Sequence, residues 1–314
     1  MQSDVPTTTI EQTNTTLCNL SQFAALRVSG DDALSFLQNL LSNDIREVTE
    51  TQAQYSSFNT AKGRMLASFL IWRDADDYLL QLPEVLADAL RKKLGMYVLR
   101  AKVKITDARH EVVSLGLSGC HPALPAVCLE LPLMGVIESA ELACRIIKIG
   151  ENRFMLNSTP EQQQQLVAAL NTPIVDSDTW DWLNIRAGTP VIVPGTQEQF
   201  VPQMVNFDLI GGINFKKGCY PGQEIVARMH YLGKPKRRMY LAHSPIAANP
   251  GDELYSEEMA DQACGMIANA APAPGGGFDV LAVLQITSRD AHPVHLHSLQ
   301  GPVLAFESLP YPLP

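Results

Sequence analysis

The chain has 314 residues, 46% of them hydrophobic and 18% charged, with a formal net charge of −9. That length supports two or three modest cores rather than one, and the balance describes an ordinary soluble globular protein. No apolar run approaches the ~18 residues a membrane helix requires, and six scattered cysteines without a Cys-x-x-Cys pair argue against a disulfide framework or a zinc site and suit a reducing, cytoplasmic setting.

Residues 1–18 lack the basic start and apolar core of a signal peptide and the arginines of a mitochondrial presequence, and read as a disordered leader. Phe23 to Val28 reads as a strand, and Asp31 as the N-cap of a helix whose apolar residues run from Ala33 to Leu41 at helical spacing. Tyr55 to Asn59 and Met65 to Trp72 form a hairpin through Thr60–Arg64, Tyr78 to Leu82 is a further strand, and Pro83 opens a helix that Gly95 ends. Lys102 to Thr106 alternates as a strand. This order of strands and helices predicts an α+β unit over residues 19–110, with helices on one side of an antiparallel or mixed sheet.

A second α+β unit, residues 111–238, follows. Residues 112–117, 144–149 and 154–157 read as strands, Pro160 to Leu170 as a helix capped by Thr159, and Ser177 to Ala187 as a helix ended by Gly188. His121 to Pro132 fits no periodicity. Residues 239–314, broken by Pro250-Gly251 and the glycines near 276, suggest a small β domain. Neither Cys120-His121 nor His295-x-His297 has partners at ligand spacing, so no metal site is expected.

The densest chemistry lies at Lys217-Gly218-Cys219-Tyr220-Pro221-Gly222-Gln223-Glu224. Pro221-Gly222 is turn chemistry, and apolar residues at helical spacing after Gln223 place Cys219 at or just before a helix N-terminus. A lysine and a helix N-terminus each favour thiolate over thiol, so Cys219 is the expected reactive group, with Lys217 activating it and Gln223 and Glu224 fixing the loop or touching ligand. A buried structural cysteine is the alternative. Residues 216–238 hold seven Lys/Arg against Glu224 alone, a charge of +6, which leaves −15 on the remainder. Within that island Lys234, Lys236 and Arg237 are candidate anion binders. The island has few interleaved aromatics, so direct nucleic-acid binding is the weakest reading.

The motif, with Pro202-Gln203-x-x-Asn206 and Gly211-Gly212 before it and Ala227-Arg228 after it, resembles the signature of the YgfZ family, folate-binding relatives of the glycine-cleavage T-protein. Gly30-x-Asp32-Ala33 and Lys62-Gly63-Arg64 are similar to that fold's first domain. The resemblance implies two interlocked ferredoxin-like α+β units around a central folate channel and a C-terminal β-barrel. It implies tetrahydrofolate as cofactor, with Phe23 and Trp180 as aromatic contacts and Gln203 and Asn206 as polar ones. It also implies a role in maintaining or assembling iron–sulfur proteins, tRNA-modifying enzymes included, with those enzymes or assembly factors as partners. The enzyme alternative is a tetrahydrofolate-dependent aminomethyl transferase using Cys219. Two departures weigh against it: no aspartate stands at the catalytic offset after Leu82, and Arg186 occupies the place of the pterin-binding glutamate.

Overall fold

The computed structural model describes residues 15–314 apart from 234, 260 and 261. In chain order the elements are β1 (Thr16–Asn19), β2 (Phe23–Ser29), α1 (Ala33–Leu40), β3 (Gln54–Asn59), β4 (Met65–Asp74), β5 (Asp77–Pro83), α2 (Glu84–Gly95) and β6 (Lys104–Asp107). Then come β7 (Val113–Ser118), α3 (Val127–Glu130), β8 (Val136–Ser139), β9 (Cys144–Gly150), β10 (Arg153–Ser158), α4 (Pro160–Leu170), β11 (Ile174–Val175) and α5 (Ser177–Arg186). The rest is α6 (Gln223–Tyr231), β12 (Arg237–Ser244), β13 (Glu253–Tyr255), β14 (Gly265–Pro272), β15 (Phe278–Gln285), α7 (Ile286–Ala291), β16 (His295–Leu296) and β17 (Ala305–Glu307). Among the described residues no helix is long and apolar enough to cross a membrane.

Three sheets carry the fold. The first is ordered β3-β4-β5-β2-β6, the second β11-β1-β7-β10-β9-β8 and the third β16-β13-β14-β15-β12-β17. Strand alternation explains why β4 is almost uniformly apolar. Phe69 and Ile71 pack with Leu37, Leu40, Leu86 and Leu90 of α1 and α2. The alternate residues Leu70 and Trp72 pack with Ile147 and Met155 of the second sheet. Successive side chains point to opposite faces, so a strand covered on both sides loses its polar stripe. The outer face of the second sheet buries Leu117, Phe154 and Leu156 against Leu166 and Leu170 of α4. The layers are thus helix, sheet, sheet, helix.

Local signals explain the helix ends. Thr159 and Gln162 form a reciprocal capping box at α4, and Asn171, in the left-handed region, stops it. Asp31 does not cap α1. The flanking residue is Asp32, and its carboxylate accepts from the Lys102 amide at 2.8 Å instead. The open stretch around His121 holds one turn of helix, α3.

The first strand corrects the expected leader. β1 opens at Thr16 and lies between β11, with which it is parallel, and β7, with which it is antiparallel. Residues 1–14 of that leader are outside the described residues. β1 and β2 are neighbours in sequence but belong to different sheets, so the first two α+β halves share chain. At the other end, β12 begins at Arg237, two residues before the expected start of the last unit.

Candidate functional site

The Lys217–Glu224 loop is welded to the first sheet and its helices. Lys217 is buried, and its Nζ donates to the carbonyls of Gln38 (2.7 Å), Leu41 and Asn43 (3.1 Å), which gather at the C-terminal end of α1. The ammonium therefore satisfies carbonyls left over where α1 ends. Burial pulls its pKa down to about 8, with Asp44 pulling the other way. Tyr220 lies beneath it, buried, with Nζ 5.1 Å from the ring centre. Lys217 thus faces helix carbonyls, which corrects its expected role as activator of the thiol.

Gly222 has φ +79°, and a Cβ there would stand 2.5 Å from both the Gly63 Cα and the Thr60 carbonyl oxygen. Only glycine meets both conditions. Gly63 reciprocates: its own Cβ would come 3.1 Å from Ile225. Gly222 and Gly63 are thus the contact between two backbones, whereas Gly218 has open space around it. The Gln223 side chain clips the turn, donating to the Lys217 carbonyl at 3.3 Å. α6 starts at Gln223, four residues after Cys219, so the thiol is not at the helix N-terminus. Cys219 is exposed, as are Glu224 and Arg228.

The upstream polar residues are structural ties. Gln203 and Asn206 are buried, Gln203 donating to the Val226 carbonyl at 2.7 Å and Asn206 to the Met239 carbonyl at 2.8 Å. Asn206 takes φ +56°, a left-handed turn that asparagine tolerates. Arg238 joins them, donating to the Gln203 carbonyl and to both Asp208 oxygens at 2.7 and 3.0 Å. Gln203 and Asn206 hence fasten α6 and β12, while the buried Gln203 Oε1 has no partner among the described residues. Lys236 and Arg237 stand at the start of β12 and neither makes a side-chain hydrogen bond or ion pair with another described residue, whereas Lys234 lies outside the described residues.

The expected aromatics mark a different place. Phe23 borders three cavities: one of about 250 Å³, and an adjoining pair of about 230 and 50 Å³ at the junction of the first two sheets, α5 and the third sheet. Pro83, Asn184, Thr189 and Val191 line both with it. Trp180 lines only the smaller one and is 2% exposed. Its indole fills the space where a Cβ on Gly116 would be, and the Arg153 guanidinium sits 4.6 Å from the ring centre. Trp180 is therefore largely committed to packing, and Phe23 is the aromatic with surface to offer. Cys219 lines neither cavity.

The polar lining was not conspicuous in the sequence. Asp181 and Asn184 face the larger cavity from α5, and Gln22 faces it from the turn before β2. Gln22 Nε2 donates to Asp181 Oδ1 at 3.1 Å, and Arg153 donates to Asn184 Oδ1 at 2.7 Å. Burial pushes the Asp181 carboxyl upward, against the hydrogen bond from Gln22. Burial also draws Arg153 down to about 10, since no carboxylate neutralises it. The signal available in sequence was the three-residue spacing of Asp181 and Asn184 beside an expected cavity tryptophan.

Arg186 turns away from this lining. It pairs with Asp279 at 3.4 Å and Glu307 at 2.7 Å, and Asp279 also accepts from Trp182 Nε1 at 2.8 Å. After Leu82, the carboxylates of Glu84 and Asp88 are held by Arg109.

With this geometry in hand, comparison places the chain. It is 34% identical over 246 residues to the tRNA-modifying protein YgfZ of Photobacterium profundum, covering 76% of this chain and 73% of that one. It is 30% identical to the YgfZ of Yersinia enterocolitica over 98% of this chain and 96% of the other. The chain belongs to the YgfZ family. Residues 9–124 match the GCVT N-terminal domain. Among solved structures, the glycine cleavage system aminomethyltransferase T of Bartonella henselae superposes with a TM-score of 0.74, covering 94% of this chain and 86% of that one at 18% identity. At that identity the likeness is one of fold. It establishes a mixed α+β architecture that this chain shares with the aminomethyltransferase.

Proposed function

We propose that this chain binds tetrahydrofolate or a related folate in the paired cavities beside Phe23, and that it acts in the cytoplasm as an accessory protein supporting iron–sulfur enzymes and tRNA modification. The observation that carries the reading is the larger cavity, walled by Phe23 and by the polar face of α5. A flat ring needs an aromatic or apolar wall and a few fixed polar groups, and this cavity offers both. The fold shared with an aminomethyltransferase supports folate as the ligand class. The name of the relatives supports the link to tRNA modification, and the link to iron–sulfur enzymes and assembly factors follows from the family resemblance.

Calorimetry with tetrahydrofolate tests it. The intact chain should bind, and Phe23→Ala should weaken binding by roughly 0.5–1.5 kcal/mol beyond lost burial. Absence of binding by the intact chain would overturn the reading. In cells lacking the protein, tRNA modifications installed by iron–sulfur enzymes should fall and recover with the native chain.

The aminomethyltransferase alternative draws no comparable support. Arg186 is engaged by two carboxylates, and Cys219 stands away from the cavity lining. Purified chain given tetrahydrofolate and an aminomethyl donor should show no transfer, and turnover near 1 per second or faster would reverse that judgement.

A further inference from the structure

The polar groups around the larger cavity have fixed orientations. Asn184 is 8% exposed, and its Oδ1 accepts from the Arg153 guanidinium at 2.7 Å. A guanidinium has only donors, so the amide oxygen must point to Arg153 and the amino group must point away. Arg153 is itself buried against Trp180, which holds the amide in that sense. The Asn184 Nδ2 has no partner among the described residues, and Asn184 lines both cavities.

Gln22 is oriented by the same logic. Its amino group donates to Asp181 Oδ1 at 3.1 Å, which leaves its own oxygen, a buried atom, without a partner. The second Asp181 oxygen is also without a partner among the described residues. Asp181 and Asn184 are three residues apart on α5, so they are neighbours on one helix face. The wall therefore presents an acceptor at Asp181, which Gln22 holds in place, and a donor at Asn184, with Phe23, Ile185 and Val191 supplying apolar surface beside them.

From this arrangement we infer that α5, with Gln22 fixing Asp181, reads the cyclic-amide edge of a flat heterocycle, its ring N–H directed to Asp181 and its carbonyl oxygen to Asn184. The inference rests on the folate reading and sharpens it: among pteridines the site takes the 2-amino-4-oxo form and rejects the 4-amino form. Replacing the 4-oxo group by an amino group sets a donor against the Asn184 donor and removes the ring proton that faces Asp181. A buried polar group left unpaired costs enough to change affinity about tenfold or more.

Folic acid and aminopterin differ at the pterin only in that 4-substituent, so their affinity ratio isolates the edge from the rest of the ligand. The native chain should favour folic acid by about tenfold or more. Asn184→Asp keeps an acceptor for Arg153, so it should melt no lower than the native chain, yet it replaces the cavity donor with an acceptor. Its preference for folic acid should disappear or invert. Asp181→Asn should weaken folic acid by about tenfold. Equal binding of the two ligands by the native chain, or an unchanged ratio in a folded Asn184→Asp variant, would overturn the inference while leaving the folate reading intact. Failure of the native chain to bind folic acid would overturn this inference, and failure to bind tetrahydrofolate as well would overturn the folate reading.

Discussion

The Lys217–Glu224 loop and the Phe23 cavity divide the work of the molecule in opposite ways. The loop is rich in chemically distinctive residues, but Lys217, Tyr220, Gly222 and Gln223 are turned inward to join α6 to α1 and to the β3–β4 turn. The cavity is lined by ordinary residues, and there Asp181, Asn184 and Gln22 leave hydrogen-bonding groups unfilled. A residue type that can do chemistry is therefore not evidence that it does. What separates the two regions is whether polar groups find their partners inside the protein.

That contrast predicts large stability effects in the loop with little direct effect on ligand. Gly222→Ala combines a left-handed φ with a Cβ 2.5 Å from backbone atoms that cannot rotate away. The strained backbone and the overpacking together should cost about 3 kcal/mol or more, read as a shift in the denaturant midpoint. A stability change below about 0.5 kcal/mol, the usual range for surface sites, would mean the two turns are not in register as described.

Lys217→Met removes the donor that serves the end of α1, and should cost about 2–3 kcal/mol at neutral pH because charged hydrogen bonds to buried carbonyls are lost. The pH dependence has a definite sign. The folded lysine titrates at about 8, below the ~10.4 of an unfolded one. Between those values the unfolded chain holds the extra proton, so this group adds stability as pH rises. The gap between native and Lys217→Met should therefore widen across that window, and a gap that narrows would contradict the assignment.

The smallest effect belongs to the residue that looked most important. Cys219 is the exposed cysteine of the six, Cys120 is half-buried, and the other four are buried. It should react first with iodoacetamide, and bound folate should not protect it. Cys219→Ser should change stability by less than about 0.5 kcal/mol. Protection by folate would return the thiol to the cavity and collapse the distinction between the two regions.

Much of the fold was legible in the sequence because it rests on local periodicity. The β3–β4 hairpin, α4 with its threonine cap and α5 ended by Gly188 lie where apolar spacing and turn residues place them. β1, β8 and β11 were missed because they are short, and β1 and β11 pair with distant chain. The candidate site was harder to see. Phe23 was visible through family resemblance, but the orientation of Asn184 depends on Arg153, which is 31 residues away in sequence. Lys217 was misread for the same reason, since its partners lie 174 to 179 residues earlier.

The place of β1 also bears on how the chain is made. Leu17 pairs with Leu117 on one side and with Ile174 on the other. At synthesis rates of roughly 5–20 residues per second, the first strand leaves the ribosome several seconds before either neighbour exists. The first sheet, complete by Asp107, can form during that interval, whereas the second must wait for residue 175 before its order closes. Vectorial synthesis thus builds the halves in sequence but leaves their shared seam to be closed last, by a segment that was translated first.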